Sequence, residues 1–346
     1  MNARKNVIGI VVAAVAAMSL SAAAADTKGA SKYKPPRNEF GHPDLQGTWN
    51  NATITPTERP AQYGDRRALT EEEAKKLHER EAEFIDRSSK ATDLATKAED
   101  LDNLPNQCRS GSTGAACGYN AFWTDTGFNG VRVQGEWRTS IVTEPLNGRV
   151  PPLTAEAAKE RSERMASRQR SGAYDGPEAR PLGERCLMSF GSSAGPPMLP
   201  VMYNNNYQIV QNKDYVMILV EMVHDLRVIR INSKPLPTTM KRWMGDSIGR
   251  YEGDSLIVET TNMNPQQSFR GSSAQKVTEK FTRVAPGRIE YEFKVEDPAL
   301  TAPYAGALTF NATPDSVYEY ACHEGNYALQ GVLAGARADE ATKETK

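Results

Sequence analysis

Five ionisable side chains fall within ten residues at the end of an apolar run: Glu221, His224, Asp225, Arg227 and Arg230 close the stretch YVMILVEMVHDLRVIR, residues 215–230. Read as a strand, the stretch puts Val216, Ile218, Val220, Met222 and His224 on one face and Met217, Leu219, Glu221 and Val223 on the other. Both faces are mainly apolar, which predicts a strand between two covered layers with Glu221 and His224 at least partly buried, one on each face. A buried carboxylate or imidazole needs a partner, and Arg227 and Arg230 lie within reach just past the turn. The cluster reads either as a structural ion-pair group or as a site.

A second cluster is Cys-His-Glu-Gly-Asn at 322–326. Cys322 is read as ending a strand, and Gly325 turns the chain into a last helix, so His323 and Glu324 sit at a strand-to-helix corner. A corner clamped by a disulfide holds its side chains rigidly, as a general acid or base requires. The other reading is a Glu favoured by the helix dipole beside a capping His. Together the clusters give His224, His323, Glu221 and Glu324 as catalytic candidates. Tyr203, Asn205, Arg227, Trp243, Trp123 and Tyr119 are the candidates for ligand contact. No short-spaced ligand pair supports a metal at His224 and His323, so neither metal nor cofactor is expected. A serine nucleophile is not expected: Ser192 and Ser193, within Gly191-Ser192-Ser193-Ala194-Gly195, and the pair Ser272 and Ser273 are read in polar loops. His78, between Leu77 and Glu79, reads as a solvated helix histidine.

The elements that would position these groups are mostly strands. Beyond residue 200, runs such as YNNNYQIVQ, SLIVETTN, KVTEKFTRV, RIEYEFKVED, ALTFNAT and SVYEYACH are rich in β-branched and aromatic residues, with turn signals such as NKD, EGD and APGR between them. RIEYEFKVE alternates strictly, with Ile289, Tyr291, Phe293 and Val295 inward; KVTEKFTRV puts Val277, Phe281 and Val284 mostly inward. About eight strands of an antiparallel meander close most naturally into a barrel, which removes unpaired edges. The fold class is therefore mainly β (α+β): an antiparallel β-barrel with an inserted helix and loop region and a C-terminal helix.

Residues 1–25 have a basic start, an apolar run and a small-residue end, the pattern of a cleaved export signal. Residues 26–43 form an extended lead-in. Residues 44–200 carry a Gly-x-Trp strand and the helix and loop insertion, with helices expected at 70–88, where Thr70 and Glu73 make a capping box, and near 154–170. Residues 201–337 hold the meander and last helix, and 338–346 form a polar tail. The address is periplasmic or secreted, with no membrane span after signal cleavage. The four cysteines suit an oxidising compartment. Cys108 and Cys117 bracket a short small-residue loop and are paired on that ground, leaving Cys186 with Cys322. With Lys+Arg of 42 against Asp+Glu of 43, the net charge of −1 excludes wholesale attraction to nucleic acid.

Gly47-Thr48-Trp49 heading a strand before an antiparallel meander resembles the lipocalin and wider calycin pattern. The runs RWMGDSIGRYEGDSLIVETTNMN (242–264), RTSIVTEPLNGRVPPLT (138–154) and YEYACHEGNYAL (318–329) resemble a group of exported, lipocalin-like bacterial proteins of uncharacterised role. The resemblance implies a ligand-holding barrel with Trp49 packed at its closed base, and no catalytic residues. The functional expectation is acid/base chemistry of the lyase, dehydratase or isomerase type on a small, partly apolar molecule. The alternative is a non-catalytic carrier or scavenger of the periplasm, and a third reading is an envelope-interaction protein. A small molecule is the expected partner; oligomeric state is left open.

Overall fold

A computed structural model of the chain describes residues 33–89, 124–125, 127–170, 172–189, 195–267 and 272–344. The chain divides into Met1–Lys34 and Pro35–Lys346; of the first unit only Tyr33 and Lys34 are described, and the second carries all that follows. Its elements are β1 (Gly47–Asn50), β2 (Ala68–Leu69), α1 (Glu71–Ser88), β3 (Arg132–Val133), β4 (Glu136–Arg138), β5 (Val142–Glu144), α2 (Ala155–Arg170), β6 (Asn206–Gln211), β7 (Tyr215–Val220), β8 (Leu226–Ile231), β9 (Asp246–Glu252), β10 (Ser255–Thr261), β11 (Lys276–Ala285), β12 (Arg288–Glu296), β13 (Tyr304–Ala312) and α3 (Tyr327–Glu344).

Among the described residues, nine strands close into a barrel in the order β1, β6 to β13, and back to β1. Closure rests on the four residues of β1, which pair with β6 on one side (Trp49 opposite Tyr207) and with β13 on the other (Trp49 opposite Ala312). Period-two alternation turns one face of each strand inward. Ile289, Tyr291, Phe293 and Val295 of β12 are all buried, as their alternation predicts. Inside, aromatic rings of several strands meet: Tyr207 and Tyr291 each pack against Phe310, with centroids 5.1 and 5.4 Å apart, and Phe281 lies 4.9 Å from Tyr291. These spacings suit edge-to-face contact.

One end, the base, is plugged by the lead-in. The Trp49 indole donates to the Leu45 carbonyl at 3.0 Å, and the Arg283 guanidinium covers its ring at 5.4 Å. Gln211 accepts from the Leu45 N–H and donates to the Pro43 carbonyl and the Tyr251 hydroxyl, while His42 stacks on Tyr251 at 4.1 Å. The opposite end, the mouth, is where β7 ends and β8 begins.

Several expectations are corrected. The meander is not wholly antiparallel: β8 and β9 run parallel, Ile229 opposite Ser247. The cause is the Pro-containing link 232–245, which brings the chain back before β9 starts. The Asp246 carboxylate anchors it by accepting from Leu236 N–H at 2.8 Å, and Asn262 Nδ2 donates to the Leu236 and Pro237 carbonyls. Nor is β7 covered on both faces. Val216, Ile218 and Val220 are buried, whereas Met217 and Leu219 are only half-buried and Tyr215 is exposed, since a barrel has a single interior. SVYEYACH is not a strand; residues 313–326 form a strap along the barrel, so Cys322 does not end a strand. The supposed polar tail from 338 continues α3 to Glu344.

The α1 capping box forms as read, with Thr70 accepting from the Glu73 N–H and Glu73 accepting from the Thr70 N–H. His78 on that helix is not solvated. It is half-buried against the small sheet β2–β4–β3, its Nε2 accepting from the Gly130 N–H at 3.0 Å and its ring edge-on to Trp137 at 5.0 Å. Burial holds its pKa below the ordinary histidine value. The lone apolar stripe of α1 docks on that sheet and carries His78 with it.

With Trp49 1% exposed and filling the base, Trp49→Ala is expected to lower stability by about 3–5 kcal/mol. Chemical denaturation followed by circular dichroism measures this, and an unchanged midpoint would place the ring outside the core.

Candidate functional site at the barrel mouth

Arg227 is the second residue of β8 and points into the barrel, where it meets Glu279 of β11 rather than Glu221 or His224. Both side chains are fully buried. Arg227 Nη1 and Nη2 donate to the two Glu279 oxygens at 2.9 and 2.7 Å, a bidentate pair. Burial works against the guanidinium's charge, but the Glu279 carboxylate outweighs it and holds the Arg227 pKa above its ordinary value. The Tyr291 hydroxyl donates to Glu279 Oε1 at 2.8 Å and accepts from Met198 N–H at 2.9 Å. Burial drives its pKa well up, so the phenol stays protonated.

Polar groups continue around this pair. Ser247 and Thr260 share a hydrogen bond at 2.8 Å beside Arg227 Nη2, and Asn51 Nδ2 donates to the Tyr207 hydroxyl at 3.3 Å. Four buried polar atoms in and near this end have no protein partner: Arg227 Nε, Asn51 Oδ1, Gln267 Oε1 and, on the rim, Asp225 Oδ2. In an interior otherwise made of aromatic and aliphatic side chains, unsatisfied atoms are costly.

The rim above is the turn from Glu221 to Asp225. Glu221 is buried, 4% exposed, and accepts from the Tyr318 N–H of the strap at 3.3 Å. His224, expected to be partly buried, is exposed. The strand stops at Val220, and Val223 and His224 both take positive φ (58° and 45°), which swings the imidazole outward. Its Nδ1 lies 3.2 Å from the Tyr320 carbonyl, so Nδ1 carries a proton there. For a β-branched residue such as Val223 the left-handed conformation is strained. Asp225 is mostly buried with Oδ2 lacking a partner, and burial raises its pKa to about 6 against the opposing pull of Ser189 N–H and His224.

His323 and Glu324 are exposed in the turn before α3, three and four residues beyond Tyr320. His323 thus follows three residues after the carbonyl that His224 approaches, and both imidazoles are exposed rather than inside the barrel. The Cys186–Cys322 disulfide is formed, with Cα atoms 5.7 Å apart, and ties the strap end to residues 172–189. Asn326 Nδ2 donates to the Glu184 carbonyl at 2.7 Å beside it. Arg230, the other expected partner, instead grips Asp246 at 2.9 and 3.0 Å. Asn205 is fully buried but engaged with backbone, accepting from Val201 N–H and donating to the Val201 and Asp125 carbonyls, so it shapes the mouth loop. Tyr203 is half-buried against the core and Trp243 half-buried in a turn. Cys108, Cys117, Tyr119 and Trp123 lie outside the described residues.

Glu279 was not singled out from the sequence, Tyr291 was read only as an inward strand residue, and Asp225 only as a member of the charged cluster. Glu279 was detectable: in KVTEKF it shares a face with Val277 and Phe281, and a carboxylate at an inward position demands a cation. No family model matches the chain, and neither a curated protein nor a solved structure does.

Arg227→Met alone is expected to destabilise by about 3–5 kcal/mol, because it leaves Glu279 buried and unpaired, whereas Arg227→Met with Glu279→Leu should be near neutral. Urea unfolding of both variants tests this. Asp225 has its folded pKa raised above the unfolded one, so its stability contribution is full below about pH 4 and is lost as pH rises through about 6. Asp225→Asn should therefore raise stability at pH 7 by about 2–3 kcal/mol and change little at pH 3.5. Paired melts at the two pH values check the sign.

Proposed function

We propose that the protein is an exported, lipocalin-like barrel that binds a small, partly apolar molecule at its mouth, with the Arg227–Glu279–Tyr291 network as the polar floor of the site. The observation that carries this reading is the buried network itself. An apolar set of equal volume would hold the strands at least as well, and an ion pair with an unsatisfied Nε is a poor choice for stability alone. Such a pair is well suited to receive one polar group of a ligand whose remainder meets the aromatic interior. Export is supported by the signal-like first 25 residues and the Cys186–Cys322 disulfide. Among the described residues no helix is long and apolar enough to cross a membrane. Trp49 at the plugged base supports the lipocalin-like description.

A second reading, acid/base chemistry on the bound molecule, is favoured by Asp225. A mostly buried carboxyl with an unpartnered oxygen and a pKa of about 6, beside His224, is poised to exchange a proton near neutrality. In that reading His224 and His323, both exposed, serve as exchange partners with solvent, and the reaction class is lyase, dehydratase or isomerase.

The test is native mass spectrometry of the protein purified from its own host without denaturant. The wild type is expected to carry a bound low-mass species, and the Arg227→Met/Glu279→Leu variant, folded by circular dichroism, is expected to lose it. Equal occupancy in the two proteins, or none in the wild type, would reject the mouth as a binding site.

A further inference from the structure

A cavity away from the barrel interior lies between α1 and the sheet β2–β4–β3. Its volume is about 150 Å³, and Ile54, Pro56, Leu69, Leu77 and Trp137 give it a mainly apolar wall. Cavities of roughly that size, lined by aliphatic and aromatic side chains, hold a single benzene ring.

Two features set it apart from a packing defect. The His78 and Trp137 rings line it at an interplanar angle of 72°, offering one flat wall and one edge, the arrangement that a third aromatic ring can extend. The second is Arg138, which also lines the cavity and is 6% exposed. Its Nη1 donates to Glu136 and its Nη2 to the Val133 carbonyl, while its Nε–H is buried with no partner. His78 accepts at Nε2 from the Gly130 N–H, which leaves its ring proton on Nδ1, and Arg138 supplies the lining's buried N–H without a partner. A buried donor left unpaired is destabilising, and a ligand oxygen in the cavity would relieve it.

We propose that this cavity binds a small molecule with one aromatic ring and one hydrogen-bond-accepting oxygen, the ring against Trp137 and His78 and the oxygen at Arg138 Nε. Such a site is independent of the barrel-mouth reading and shares no residue with it.

The probes are acetophenone and α-methylstyrene, which have the same shape and differ by C=O against C=CH₂. They are titrated into the full ¹⁵N-labelled chain while the Gly130 amide and Trp137 indole resonances are followed. Acetophenone is expected to shift both saturably, with a Kd on the order of 1 mM or tighter, and to bind at least fivefold more tightly than α-methylstyrene. Absence of a saturable shift, or equal affinity for the two probes, overturns the proposal. A Cβ at Gly130 would lie 3.4 to 3.6 Å from Thr55, His78 and Trp137, in contact without clash. Gly130→Ala should therefore keep its melting temperature and weaken acetophenone tenfold or more; unchanged affinity in that folded variant also overturns it.

Discussion

Two opposite charges held at zero exposure inside a protein constrain everything that carries them. Arg227 and Glu279 approach from β8 and β11, strands that are not neighbours in the sheet, and bidentate geometry tolerates little relative movement. Tyr291 on β12 extends the lock through Glu279, and Ser247 on β9 through Arg227 Nη2. A one-residue slip of β11 would turn Glu279 to solvent and leave the guanidinium inside with no counter-charge. Four strands thus have their registers specified by a single ion pair. The aromatic interior supplies most of the stabilisation, but aromatic contacts alone are far more forgiving of a shifted strand.

The same constraint accounts for the mouth. Because Arg227 must point inward, Leu226 and Val228 point outward and remain exposed, and the turn before them has little freedom. The chain meets this by ending β7 at Val220 and reversing through Val223 and His224 in left-handed backbone. The strap then holds the turn at two points, Tyr318 on Glu221 and Tyr320 on His224, and the disulfide holds the strap. Local strain in the turn is compensated by contacts from a segment almost a hundred residues downstream.

What the sequence made legible follows from how local each feature is. The capping box of α1 and the alternation of β12 depend on neighbours a few residues away, and pattern alone recovers them, whereas the packing of Trp49 was expected from the Gly-x-Trp resemblance. The parallel pairing of β8 with β9 depends on where a proline-containing link is anchored, by Asp246 and Asn262, and no period in the sequence encodes that. His224 shows the same limit: its burial hinged on whether the strand reached it, and a two-residue excursion to positive φ decided otherwise. Arg227 was named, yet its partner was sought among adjacent residues rather than on a strand fifty residues away. The charged turn between β7 and β8 was therefore legible, and the partners of its side chains were not.

The closing strand has a kinetic consequence. Four barrel pairings, β6 with β7, β7 with β8, β9 with β10 and β11 with β12, are joined by short hairpins, so they involve local contacts and form quickly. β1 is different, since Trp49 and its partner Ala312 are separated by roughly 260 residues, and its seat between β6 and β13 exists only once the final strand is in place. During synthesis the Gly-x-Trp segment must wait for the rest of the molecule, with the β6 and β13 edges open meanwhile. The interval before closure is when the chain is most exposed to edge-to-edge association, and only four residues bring it to an end.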